Sequence, residues 1–236
     1  MKQRRQPTAK AAEAGPAKLV LTLSLAGLLS GLIIVSVFEA TLPTITAYKA
    51  KVLREAVFKV LPGTVSLKRL VYSDGKLAAA EVEEKDQEAV FGGYNTEGKL
   101  VGYAVPGAGP GFQDIVSLLF GYLPDVRKVV GMEILESRET PGLGDKIYKD
   151  LEFVANFHDL AIDPEIVAVK KGRKAAPNEI DAITGATISS KAVVRIINES
   201  NGVWVSRLEG SEAVPYLDSD MTMKSTKSTK DMKHRE

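Results

Sequence analysis

The residues best equipped for chemistry lie in one stretch, Asp181-Ala182-Ile183-Thr184-Gly185-Ala186-Thr187-Ile188-Ser189-Ser190. Four hydroxyls, on Thr184, Thr187, Ser189 and Ser190, gather around the small residues Gly185 and Ala186. A backbone without bulk lets a ligand come close. The apolar positions that follow, Ala192, Val193, Val194, Ile196 and Ile197, recur at helical spacing, so the hydroxyls stand where a helix begins. Unbonded N–H groups and the positive dipole end at such a start favour a phosphate. Serine and threonine also cap helices with no ligand involved, and the residues alone fit both readings.

A second stretch is Glu139-Thr140-Pro141-Gly142-Leu143-Gly144-Asp145. Its Pro-Gly pair sets a tight turn. Glycines on either side leave Leu143 projecting with little to shield it, which suits a flat apolar ligand. A plain connection between a strand and a helix accounts for the same residues. A third stretch, Pro106-Gly107-Ala108-Gly109-Pro110-Gly111-Phe112, lacks the spacing of a dinucleotide or phosphate loop. Its two prolines remove donors that a phosphate needs, so it reads as a surface loop. The charged clusters at 81–88 and 170–174 read as solvated faces.

Composition narrows the chemistry. The 236 residues contain no cysteine and two histidines, His158 and His234. Thiolate zinc, iron–sulfur and multi-histidine metal or haem sites are thereby excluded, and redox work requires an organic cofactor. A net charge of +1 gives no general attraction to nucleic acid.

The elements that position these residues begin with a membrane segment. Lys2, Arg4, Arg5, Lys10 and Lys18 stand against one acid, Glu13, and an uncharged run from Leu19 to Phe38 follows. About 20 apolar residues cross a bilayer core. That run exceeds a signal-peptide core, and Phe38-Glu39-Ala40-Thr41 lacks a cleavage site of small residues, so a retained anchor is expected. Thr22, Ser24, Ser30 and Ser36 can bond back to their own helix, and Gly27 and Gly31 form a small-residue strip. The basic flank puts the N-terminus in the cytoplasm.

Residues 46–60 suit a helix ended by Leu61-Pro62-Gly63. Strands are expected at 65–72, at 89–94 and 100–105 as a hairpin around Asn95-Thr96-Glu97-Gly98, and at 115–122 and 129–135 as a second pair. A helix with Asp145 as its cap, a strand at 166–169 and a helix at 189–200 follow. Strands first and helices later argue for an α+β fold with a mostly antiparallel sheet. The expected division is a basic N-terminus at 1–18, a transmembrane helix at 19–41, a stalk helix at 42–63, a domain at 64–215 and a disordered polar tail at 216–236.

Taken together, the two motifs resemble the FMN-binding domain of the G subunit of Rnf complexes and the C subunit of sodium-pumping NADH:quinone reductases. Thr184-Gly185-Ala186-Thr187 is similar to that family's attachment motif. Asp181 matches the acid that a flavin transferase reads, and Glu139-Thr140-Pro141-Gly142-Leu143-Gly144 resembles the second signature. Val130-Gly131 and Lys191-Ala192-Val193-Val194 also fit the Rnf branch. The turn Gly111-Phe112-Gln113-Asp114 departs from the glycine-rich turn of many relatives, which leaves its role open.

The resemblance implies FMN bound covalently through a phosphoester to Thr187. Thr184, Gly185, Ala186, Asp181 and Ser189 would then lie around the phosphate, and Glu139, Thr140, Pro141, Gly142, Leu143 and Gly144 against the ring. It implies no resident metal and no catalytic residue of the chain's own. It further implies an electron-relay subunit in the bacterial inner membrane, with an extracytoplasmic domain. That subunit would work within a complex passing electrons between ferredoxin and NAD and moving Na⁺ or H⁺. The partners implied are the other membrane subunits and a maturation transferase. The rivals are the quinone-reductase C subunit and a membrane-tethered sensor or assembly protein with an empty domain.

Overall fold

The structure, a computed structural model, describes residues 15–73, 75–80 and 88–211. The expectations for the first residues of the basic N-terminus, for Asp74, for most of the acidic cluster at 81–88 and for the tail lie outside that range. The chain divides into two units, Met1–Ala50 and Lys51–Glu236. The helix α1, Pro16–Val60, contributes to both.

In the first unit, α1 is long and apolar enough to cross a membrane. Its apolar side chains from Leu19 to Phe38 are exposed. The Thr22 hydroxyl donates to the carbonyls of Lys18 and Leu19, and Thr41 bonds back in the same way to Val37. A hydroxyl satisfied by its own helix can lie in an apolar medium.

The second unit is an α+β domain. A seven-stranded antiparallel sheet has the order β2-β1-β3-β4-β5-β6-β7. Its strands are β1 Ser66–Ser73, β2 Lys76–Ala79, β3 Ala89–Tyr94, β4 Leu100–Pro110, β5 Ile115–Leu123, β6 Lys128–Glu136 and β7 Leu160–Ala161. A separate parallel pair joins β8, Val167–Lys170, to β9, Glu179–Ala182. Both expected hairpins form, and in the first the Asn95 carboxamide accepts from the N–H groups of Glu97 and Lys99 to close the turn.

One face of the sheet carries the main core. Leu118, Phe120 and Tyr122 pack there with Val193, Ile196 and Ile197 of α4, Thr187–Glu209, which outruns its expected end at residue 200. The other face takes Ala56, Val57, Val60 and Leu61 at the end of α1, packed with Ala104 and Leu119. That approach is close because Gly121 and Gly131 face each other in register. A Cβ on Gly131 would come within 2.8 Å of the Val60 Cα, and one on Gly121 would run into the Val60 carbonyl.

Two expectations are corrected. Residues 106–110 are not a loop but the end of β4, paired with β5 from Pro106↔Leu119 to Pro110↔Ile115. The pairing of β3 with β4 ends at Ala104, so both prolines sit where their missing N–H groups leave no ladder bond unmade on that side. Gly107 and Gly109 let α4 press in, since a Cβ on either would meet Ile196 at 2.8 and 2.9 Å. Likewise, Asp145 makes no side-chain cap, and the expected helix is two short ones, α2 Lys146–Lys149 and α3 Leu151–Ala155. The break falls at Asp150, whose carboxylate accepts from Glu152 N and Phe153 N and so starts a new helix.

Candidate functional site

Three chain segments meet at one end of the second unit: the turn after β4, the loop after β6 and the start of α4. Two of them are built alike. In Thr140-Pro141-Gly142-Leu143, Leu143 N donates to Thr140 O at 3.1 Å and Gly142 has φ +78°. In Ile183-Thr184-Gly185-Ala186, Ala186 N donates to Ile183 O at 3.0 Å and Gly185 has φ +83°. A four-residue turn with positive φ at its third position selects glycine there.

The turns touch. The nearest atom to a Cβ built on Gly185 is Leu143 Cδ2, at 3.7 Å. Leu143 is 49% exposed, the projection expected from its flanking glycines.

The four hydroxyls part company. Ser190 is buried and accepts from Ile183 N at 3.0 Å while donating to Ala186 O at 2.9 Å, which locks the turn to the helix. Ser189 is buried and donates to Glu139. Thr184 and Thr187 are exposed. No hydrogen bond among the described residues engages the Thr187 hydroxyl. The residue at the cap position is Ala186, which has no side-chain acceptor, so the ordinary capping role considered for the hydroxyls is not the one they play. The first N–H groups of α4 are therefore left for a ligand or water.

Glu139 joins the segments. It is 5% exposed. Its Oε1 accepts from Phe112 N at 2.8 Å and Gln113 N at 3.0 Å, and its Oε2 from the Ser189 hydroxyl. Burial works against its charge. The Ser189 hydroxyl and the N–H groups of Gln113, Phe112 and Asp114 together outweigh burial and hold the carboxyl below its usual range. Gly111 and Gly144 leave it room, since a Cβ on either would collide with one of its oxygens. Thr140 Oγ1 donates to Gln113 Oε1 at 3.0 Å, a second tie to the same turn. The 111–114 turn is thus part of the site. Local sequence offers no signal for it, because its partner lies 26–27 residues away.

Not every expected residue reaches the rim. Asp181 lies on β9, and its Oδ1 accepts from Arg173 N and Lys174 N at 3.2 and 3.3 Å, fixing the basic turn after β8. Asp145 is buried beside the loop, and the Lys149 ammonium at 2.6 Å holds its carboxyl below the usual range.

An exposed hydroxyl at an uncapped helix start can take a phosphate, and an open glycine turn beside an exposed leucine can take a flat ring. These residues fit a flavin nucleotide, whose phosphate and tricyclic ring make both demands.

Comparison with known proteins points the same way. Residues 111–200 match the FMN-binding domain family. The chain is 34% identical to the G subunit of the Na⁺-translocating ferredoxin:NAD⁺ oxidoreductase complex of Acetobacterium woodii, covering 62% of this chain and 70% of that one. It is 33% identical to the G subunit of the proton-translocating ferredoxin:NAD⁺ oxidoreductase complex of Clostridium ljungdahlii, covering 75% and 85%. The crystal structure of Shewanella oneidensis NqrC shares the fold, with a TM-score of 0.55 at 19% identity over 70% of this chain and 100% of that one. The chain belongs to the family of G subunits of ion-translocating oxidoreductase complexes and carries an FMN-binding domain.

Proposed function

We propose that this protein is a membrane-anchored electron relay of an ion-translocating ferredoxin:NAD oxidoreductase complex, with FMN held as a phosphoester on Thr187. The observation that carries this reading is the free, exposed Thr187 hydroxyl at an uncapped helix start, one residue from a turn that touches Leu143. Bound FMN supplies one- and two-electron redox chemistry. The chain's own residues do the rest. The first N–H groups of α4 and its dipole stabilise the phosphate charge. Gly185 and Gly142 keep the approach open, and Leu143 gives the ring an apolar contact. Glu139 keeps the loops in register with the helix start. Thr184, Ala186 and Ser189 shape the phosphate end, and Thr140, Pro141 and Gly144 the ring end.

A separate transferase installs the flavin, with Asp181 as one of the features it reads. Residues 19–41 span the membrane, 42–63 form the stalk and 64–215 the FMN domain, which lies on the extracytoplasmic side. A covalent tether suits that side, because a flavin lost there would not be recovered from the cytoplasm. The other membrane subunits of the complex are the partners.

The test is flavin fluorescence in a denaturing gel after co-expression with the transferase. Wild type gives a bright band, and Thr187→Ala gives a dark one. A dark wild-type band, or a bright Thr187→Ala band, defeats the reading.

A further inference from the structure

The turn at 111–114 belongs to neither flavin motif, yet it is fixed from several directions. Phe112 N and Gln113 N both rest on Glu139, Thr140 Oγ1 donates to the Gln113 side chain, and Arg138 pairs with Asp114 at 3.5 Å. Arg195 of α4 donates to the carbonyl of Pro110, just before the turn. What this well-held turn presents to solvent is a phenyl ring, since Phe112 is 63% exposed.

Two more open apolar side chains lie on the segments that Glu139 ties to this turn. Leu143 is on the loop that Glu139 begins, and Ile188, 59% exposed, lies between Thr187 and the Ser189 that bonds Glu139. One buried carboxylate therefore ties together three segments that each carry an exposed apolar side chain, one of them next to Thr187. Scattered exposed apolar residues need no explanation, but a cluster rimming a polar site marks a binding surface. A ring carried on a fixed turn also loses little freedom when a ligand meets it.

We propose that Phe112 is a wall of the flavin seat: its ring packs against the isoalloxazine, with Leu143 and Ile188 as the other apolar contacts. This rests on FMN being attached at Thr187. Aromatic systems pair offset-stacked or edge-to-face at centroid separations of about 4.5–7 Å.

The test places a quencher at the position. In Phe112→Trp, an indole against the ring quenches flavin emission by electron transfer. The full chain is purified in detergent after co-expression with the transferase, and emission is read native and after denaturation. Val126→Trp is the control. Val126 is exposed on the turn at the far end of β5, roughly 30 Å away at about 3.3 Å per strand residue. Expected is a severalfold loss of native emission in Phe112→Trp, recovered on denaturation, with Val126→Trp matching wild type. Equal denatured emission in all variants with no native loss in Phe112→Trp overturns the proposal and leaves the Thr187 ester standing. A dark denatured wild-type band defeats the ester itself.

Discussion

Glu139 accepts the hydroxyl hydrogen of Ser189 across 50 residues of sequence. That bond joins the loop after β6 to the first turn of α4, the two segments that carry the flavin motifs. The other carboxylate oxygen holds the turn after β4. A buried carboxylate surrounded only by donors is comfortable when charged, and it constrains every donor around it. The spacing of the loops thus depends on the charge state of one side chain.

The first prediction concerns acid. The ordinary value for Glu139 is 4.5, and its folded value is lower. Its contribution to stability is therefore complete above 4.5 and is lost as pH falls through the lower folded value. Glu139→Gln keeps the volume, and the Ser189 hydroxyl can rotate to accept from the new amide, so the cost is modest. Glu139→Ala strands buried donors and costs roughly 3 kcal/mol. Melting of the three proteins between pH 3 and 7 checks this. Wild type loses its advantage over Glu139→Gln toward pH 3, and parallel curves would refute the assignment.

Much of this architecture could be read from residue order, and the exceptions have physical causes. Alternating apolar runs and the Asn95 turn located the central hairpins, because a half-buried strand and a tight turn are local properties. Leu143 could be foreseen as exposed from its flanking glycines alone. The span at 106–110 misled because proline and glycine are usually breakers. Here an unpaired edge tolerates the prolines, and the pressure of α4 requires the glycines, both consequences of tertiary contact. Asp145 looked like a cap by its place in the sequence, but Lys149 takes its carboxylate. The resemblance named Glu139 as a site residue, but its bonds to the other two segments could not be read, because those partners lie far along the chain.

The close approach of α1 to the sheet gives a second prediction. Gly121→Ala drives a methyl into the backbone of Val60, which cannot turn aside. At Gly92 the added methyl meets the end of the Tyr94 side chain at 3.0 Å. Gly121→Ala should destabilise by about 1–3 kcal/mol, the range of overpacked cores. Gly92→Ala should cost less, since a side chain can give way. Thermal melts of both variants rank the two sites, and a reversed order would mean that the Val60 contact is loose.

Gly185 and Gly142 supply a third. Neither lacks room for a methyl, because nothing lies within 4 Å of a Cβ on Gly142 and only Leu143 lies near Gly185. Both have positive φ, so alanine at either position strains the backbone by about 1 kcal/mol without a clash. The domain remains folded. The turn flattens to relieve the strain, and Gly185→Ala lowers flavin attachment far more than it lowers the melting temperature. Denaturing-gel fluorescence beside a melt of the same sample separates the two effects. Full loading of Gly185→Ala would show that turn geometry is not needed for attachment.

Membrane orientation gives the last. Lys2, Arg4, Arg5, Lys10 and Lys18 precede the apolar run, and Glu13 is the one acid among them. Basic residues near the end of a span are retained in the cytoplasm. On the proposed reading the FMN domain would lie outside it, where an ester to Thr187 would keep the flavin in place. A reporter enzyme active only in the cytoplasm, fused after Glu236, should be silent, and one active only outside should work. Replacing the basic residues before the span with glutamine weakens the bias, so some chains insert the other way and the silent reporter gains activity. A cytoplasmic reporter already active on the wild-type chain would reverse the orientation, and with it the reason for a covalent flavin.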